Sequence, residues 1–164
     1  MIDDIFLEKL EANILINTSR GEVVDESSLL KKNNLIYISD VWRNEPTPSK
    51  DIIDYSLIST PHIAGHSHDG KINGTINLFY EFFNYLDHNK DLKKANHRIM
   101  KRFFSLEPTL AFPKEINEYV MTFDVFKESN LFKNICMKEE GNISENTFIK
   151  ARSQHAYRRD ITPD

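Results

Sequence analysis

Arg20, Glu45 and His62 each stand just past a short apolar run. Their contexts are turn-like: Ile16-Asn17-Thr18-Ser19-Arg20-Gly21, Asp40-Val41-Trp42-Arg43-Asn44-Glu45-Pro46 and Thr60-Pro61-His62-Ile63-Ala64-Gly65. A guanidinium, a carboxylate and an imidazole gathered at strand ends are the parts that oxidation of a hydroxy acid requires. Arginine grips a carboxylate in a bidentate fork, histidine exchanges a proton, and glutamate holds the histidine. Each residue alone has an ordinary alternative: a solvated surface charge, a turn residue, a loop histidine. The three together, each behind its own apolar run, favour a shared site.

The elements that must position them follow from pattern. Residues 3–11 read as a short helix, with Ile5, Phe6 and Leu10 at helical spacing and acids in the first turn. Ile14-Leu15-Ile16 is a continuous apolar run of the kind buried on both faces of a parallel sheet. Asp25 is placed to N-cap a helix through Ser28, Leu29 and Leu30. Leu35 to Val41 predicts a second strand, and Leu57 to Thr60 a third, stopped by Pro61. The prolines at 46 and 48 keep the intervening segment irregular. Strand, helix, strand, short helix, strand is half of a doubly wound α/β sheet. A long helix is expected from Ser67–Asp69 to Leu86, with an apolar stripe of Ile72, Ile76, Phe79, Phe83 and Leu86.

The polar stretch Asp87–Lys94 marks the expected boundary between residues 1–88 and a second domain over 95–164. In that second part Pro108 and Pro113 mark turns, and Lys114–Tyr119 predicts a helix. Met121–Phe126 alternates like a strand, and Asn142–Tyr157 reads as helical. Its phenylalanines at 103, 104, 112, 123, 126, 132 and 148 exceed what so short a segment is expected to bury alone, which points to pairing of two copies.

Composition narrows the function. A net charge of −4 over 164 residues, with scattered basic residues, argues against a nucleic-acid binder. Cys136 is the single cysteine, so neither an intrachain disulfide nor a cysteine-based zinc site is available, and no metal is expected. A reducing, cytoplasmic setting fits. Met1–Phe6 has no basic leader, and no stretch approaches the roughly 18 apolar residues of a membrane helix.

Asn17-Thr18-Ser19-Arg20-Gly21 with Val23-Val24-Asp25 resembles the arginine segment of the NAD-dependent D-2-hydroxyacid dehydrogenases. Asp40-Val41-Trp42 with Glu45-Pro46 resembles their acidic segment, and Thr60-Pro61-His62-Ile63-Ala64-Gly65 their histidine segment, in the family's order. Asp69-Gly70-Lys71-Ile72-Asn73-Gly74-Thr75, Phe148–Arg152 and Tyr157-Arg158-Arg159 are similar to a branch of that family serving pyridoxine biosynthesis, whose tail is a small α+β dimerisation domain. Two glycines in the first of these, at a helix cost of about 1 kcal/mol each, suggest close packing or approach to a ligand.

The resemblance implies the C-terminal half of a Rossmann-type doubly wound parallel sheet followed by that dimerisation domain. It also implies NAD as cofactor, a phosphorylated 2-hydroxy acid as substrate, and a homodimer. His62 would be the general base, with Glu45 on one ring nitrogen. Arg20 would clamp the substrate carboxylate. Thr18, Ser19, Arg20, Asp40 and Gly65 would meet the nicotinamide side, although Asp40 also suits a helix or turn cap. His66 stands where that branch usually has a substrate-binding tyrosine, and the resemblance implies that it donates to a phosphate or carboxylate of the substrate. A related activity on another hydroxy acid such as phosphoglycerate, or a non-catalytic self-associating module, are the alternatives.

One departure from the family is plain. Its Gly-x-Gly-x-x-Gly loop precedes the segment that starts here, and the first glycine of this chain is Gly21. The chain is therefore expected to be a C-terminal portion, without dehydrogenase activity or NAD affinity on its own.

Overall fold

The computed structural model describes residues 1–86, 123–156 and 158. Three short strands, β1 (Ile14–Asn17), β2 (Ile36–Ser39) and β3 (Ile58–Ser59), form a parallel sheet in that order. Ile14 pairs with Ile36 and Asn17 with Ser39; Ile38 pairs with Ile58 and Ser39 with Ser59. Because the strands are parallel, all three chain segments leave the sheet at the same, carboxyl edge. The α/β class and half of a doubly wound sheet are as the sequence predicts.

Helix α1 (Asp4–Lys9) is N-capped by Asp3, α2 (Glu26–Leu29) by Asp25, and α3 (Lys50–Tyr55) by Ser49. Each cap supplies a side-chain oxygen to a backbone N–H that the first helical turn leaves unpaired. A turn of 3₁₀ helix, Gly21–Val23, follows the first motif. Further along, α5 (Val125–Lys138) is capped by Asp124 and α6 (Glu145–Ser153) by Ser144. Between these groups α4 (His68–Leu86) starts after Ser67, whose Oγ accepts from Gly70 N at 2.8 Å.

The chain divides into two compact units, Met1–Ala64 with Phe123–Ala156, and Gly65–Thr122 with Tyr157–Asp164. The first contains the sheet and a core of Leu29, Tyr37, Trp42, Ile52, Phe132 and Phe148, among others. α5 presents Ser129, Phe132 and Cys136 inward, one helical face at spacings of three and four. Trp42 and Phe132 rings lie 6.2 Å apart, and Phe132 meets Phe148 edge-on at 5.9 Å. Phe132 thus finds its partner in the Trp42 of the second motif, and Phe148 packs in turn on Phe132. In the second unit α4 is the described element.

Two expectations are corrected. Ile14 and Ile16 are not buried on both faces: they are 53% and 62% exposed, because they share one face of the sheet with Ile36, itself 42% exposed on the central strand, and no described element covers that face. The alternation at Met121–Phe126 does not make a strand through its end. Asp124 accepts from Lys127 N at 3.0 Å and starts α5, a local cap overriding a six-residue pattern. A Cβ on Gly74 would meet nothing within 4 Å among the described residues. The turns at Pro108 and Pro113, the helix over 114–119, Phe103, Phe104, Phe112, Tyr157 and Arg159 lie outside the described residues, as do the side chains of Ile76, Phe79, Phe83 and Leu86.

Candidate active site

The first unit carries Thr18, Ser19, Arg20, Asp40, Glu45 and His62, all in loops at the carboxyl edge of the sheet. In open α/β sheets that edge is where ligands bind. Gly65 and His66 fall in the second unit.

Glu45 and His62, 17 residues apart, are in contact: Glu45 Oε2 lies 2.7 Å from His62 Nδ1. Glu45's other oxygen, Oε1, accepts from Trp42 N at 2.7 Å. The carboxylate is thereby fixed in orientation, and it presents one oxygen to the imidazole. A carboxylate oxygen accepts, so the contact places a proton on Nδ1 and leaves Nε2 facing away from Glu45. Both side chains are partly exposed, at 29% and 21%, so the pair is open to a ligand.

His62 has φ 57°, a left-handed conformation uncommon for a residue with a Cβ. Asp40 holds it there. Asp40 Oδ1 accepts from Thr60 Oγ1 at 2.6 Å and from Ile63 N at 2.7 Å, and Oδ2 from Ala64 N at 2.8 Å. One carboxylate therefore gathers donors from both sides of His62, which over-determines the strained turn. Trp42 Nε1 adds a bond to the Thr60 carbonyl at 2.9 Å. The turn-cap role left open for Asp40 by the sequence is occupied.

Arg20 is exposed, and its Nη1 donates to the Ser19 carbonyl at 2.6 Å. Its backbone is set by Asn17, which is buried at the end of β1. Asn17 Nδ2 donates to the Arg20 carbonyl at 3.0 Å, and Oδ1 accepts from Ser19 N at 3.1 Å. Gly21 follows immediately, and an added Cβ would fall 2.1 Å from Trp42 C. Only glycine permits that approach between the arginine loop and the glutamate loop. Thr18 and Ser19 are exposed beside Arg20.

Sequence reasoning missed Asn17, Glu26 and Ser39. Glu26 is 9% exposed, and its Oε1 accepts from Arg43 N at 2.8 Å. Burial pushes its carboxyl pKa up, against the opposing effect of the Arg43 amide. Ser39 Oγ donates to the Val41 carbonyl at 2.7 Å and tightens the turn out of β2. An acid at the start of a short helix looks like a dipole complement; only the fold reveals that it is buried. No group of three or more His, Cys, Asp or Glu able to hold a metal occurs among the described residues. No described helix is long and apolar enough to cross a membrane.

Residues 1–64 match the family described as D-isomer specific 2-hydroxyacid dehydrogenase, NAD binding domain. The chain is 30% identical over 169 residues to an erythronate-4-phosphate dehydrogenase of Shewanella oneidensis, covering 99% of this chain and 43% of that protein. It is 46% identical over 86 residues to one of Wigglesworthia glossinidia brevipalpis, covering 50% of this chain and 23% of that protein. A Coxiella burnetii protein of the same name is 38% identical over 86 residues, covering 52% of this chain and 24% of its own length. The chain thus spans less than half the length of these curated relatives.

Proposed function

We infer, for a chain whose first 64 residues match the family described as D-isomer specific 2-hydroxyacid dehydrogenase, NAD binding domain, that it is the C-terminal part of an erythronate-4-phosphate dehydrogenase acting in pyridoxine biosynthesis. The substrate is 4-phospho-D-erythronate, oxidised at C2 to a 2-oxo acid. The observation that carries the reading is the Glu45–His62 contact of 2.7 Å at the carboxyl edge of the sheet, together with relatives that bear this name.

His62 Nε2 takes the proton from the C2 hydroxyl, and Glu45 stabilises the imidazolium that forms. Arg20 binds the substrate carboxylate in a two-pronged, charge-assisted contact; its exposed guanidinium is available for that exchange of partners. NAD, when bound, supplies the hydride acceptor. The residues fit its nicotinamide end by donor chemistry: Asp40 takes three protein donors where a carboxylate offers about four acceptor sites, which leaves Oδ2 capacity for a carboxamide N–H. Thr18, Ser19 and Gly65 would meet the nicotinamide side mainly through backbone, and His66 would donate to a phosphate or carboxylate of the substrate.

The working protein is proposed as a cytoplasmic homodimer paired through residues beyond 95. Exposed Phe126, Leu131, Ile135 and Ile149 on α5 and α6 support that pairing. A chimera tests the activity: the N-terminal portion of the Shewanella oneidensis relative joined to this chain, assayed for NADH formation. Turnover with 4-phospho-D-erythronate is expected. His62→Ala should lower kcat by about 10²–10⁴-fold, and Arg20→Ala should lower kcat/KM far more than Ser19→Ala. Preference for 3-phosphoglycerate would move the reading to a related dehydrogenase; a folded chimera with no turnover would reject it.

A further inference from the structure

Glu26 is bonded to the loop that carries Glu45, away from the Glu45–His62 contact itself. Glu26 Oε1 accepts from Arg43 N at 2.8 Å. The neighbouring N–H, of Trp42, donates at 2.7 Å to Glu45 Oε1, and Glu45 Oε2 meets His62 Nδ1 at 2.7 Å. Two successive backbone amides thus bind two different carboxylates, one buried and one in the site. The other side of this segment is closed by Gly21, whose Cα leaves room for no Cβ: an added one would lie 2.1 Å from the Trp42 carbonyl and 2.4 Å from Arg43 N. Arg43 Nη1 also reaches Asp25 Oδ1 at 3.4 Å, so the residue before Glu26 holds the same loop.

We propose that Glu26 is a positioning residue for His62, acting through the Arg43 and Trp42 amides on the orientation of Glu45. The inference deepens the reading of His62 and Glu45 as the acid–base pair, and so rests on it. A buried carboxylate is an unfavourable choice for mere space-filling, since an apolar residue would cost nothing in desolvation. Its oxygen satisfies the Arg43 backbone N–H in the part-buried loop that carries Glu45. Release of that N–H would let the Trp42–Arg43 segment turn away from Gly21, carrying the Glu45 anchor with it.

Nitrogen-15 NMR of His62 in this 164-residue chain tests the idea without turnover or cofactor. His62→Gln assigns the resonance among the six histidines. In the wild-type chain a slowly exchanging Nδ1–H and a single tautomer are expected. Glu45→Ala should abolish both, and this result tests the pair itself. Glu26→Ala should abolish both as well, whereas Glu26→Gln, which keeps an acceptor oxygen, should retain the Nδ1–H while shifting it together with the Arg43 amide.

A His62 signal unchanged in Glu26→Ala but lost in Glu45→Ala would overturn the role of Glu26 and leave the pair standing. A signal unaffected by Glu45→Ala would overturn both. If Glu26→Ala does not fold, Glu26→Gln decides: movement of the Arg43 amide with no response at His62 rejects the proposal.

Discussion

The two edges of the sheet are finished differently. Beyond β3, Ser129 Oγ of α5 accepts from Ser59 N at 2.9 Å, so the outer N–H of that strand is buried and satisfied. Lys133 Nζ donates to the Asp54 and Ser56 carbonyls, and Phe132 fills the space against Trp42. At the other edge β1 exposes Ile14 and Ile16. A covered edge and an edge with apolar residues in water carry opposite liabilities: the first concentrates stability, the second invites another strand. The site loops also divide along this line. His62 follows the covered strand and is tied down at Asp40, Glu45 and Trp42, whereas Arg20 follows the open strand and, among the described residues, its guanidinium donates to the Ser19 carbonyl of its own loop.

The largest effect should come from the covered side. Phe132→Ala removes a 2%-exposed ring from between Trp42 and Phe148 and should cost about 3–5 kcal/mol. Urea denaturation would measure it. Ile16→Ala, at a site already 62% exposed, should stay within about 0.5 kcal/mol. Equal losses for the two would erase the distinction between the edges. Next in size is Ser129→Ala, which leaves the Ser59 N–H buried without its acceptor and should cost about 1–3 kcal/mol. Ser129→Thr, which keeps the oxygen, should recover part of that.

What the sequence revealed and what it hid divide along similar lines. The three parallel strands, the Asp25 cap and the juxtaposition of Glu45 with His62 were legible, because local periodicity and strand order determine them. The exposure of β1 was not: an isoleucine run reads as doubly buried whatever lies beside it, and neighbours are a tertiary fact. Neither was the docking of α5 on β3. Ser129 is one of many serines on a helix, and nothing local says that it completes a sheet 70 residues earlier. Glu26 was hidden for the same reason, since burial of an acid is decided by the loop that closes over it.

A smaller effect is chemical. Cys136 is fully buried on the inner face of α5, and burial pushes its thiol pKa up to about 12. The raised value keeps the thiol neutral throughout the ordinary range, so the reactive thiolate is scarce as well as inaccessible. Alkylation by iodoacetamide at pH 8 should be far slower than that of free cysteine, and Phe132→Ala should accelerate it by loosening α5. Rapid labelling of the wild-type chain would mean that the β3 side is not held closed in solution.

The smallest change in folding free energy should come from Ile16→Lys, and it has the most to say about the open edge. Residue 16 is exposed, so a lysine there loses little packing, and its long aliphatic stem can lie along the surface with the ammonium in water. Denaturation midpoints should move by no more than about 0.5 kcal/mol. Association should respond strongly, because charge on an edge strand is a common device against strand-to-strand pairing. Light scattering at increasing concentration should show the wild-type chain associating and the lysine variant staying dispersed. Matched substitution of Ile135, exposed on α5, separates this route from pairing of tails: if Ile135→Lys disperses the chain and Ile16→Lys does not, contact between copies runs through the helices, and the exposed β1 edge is harmless in this protein.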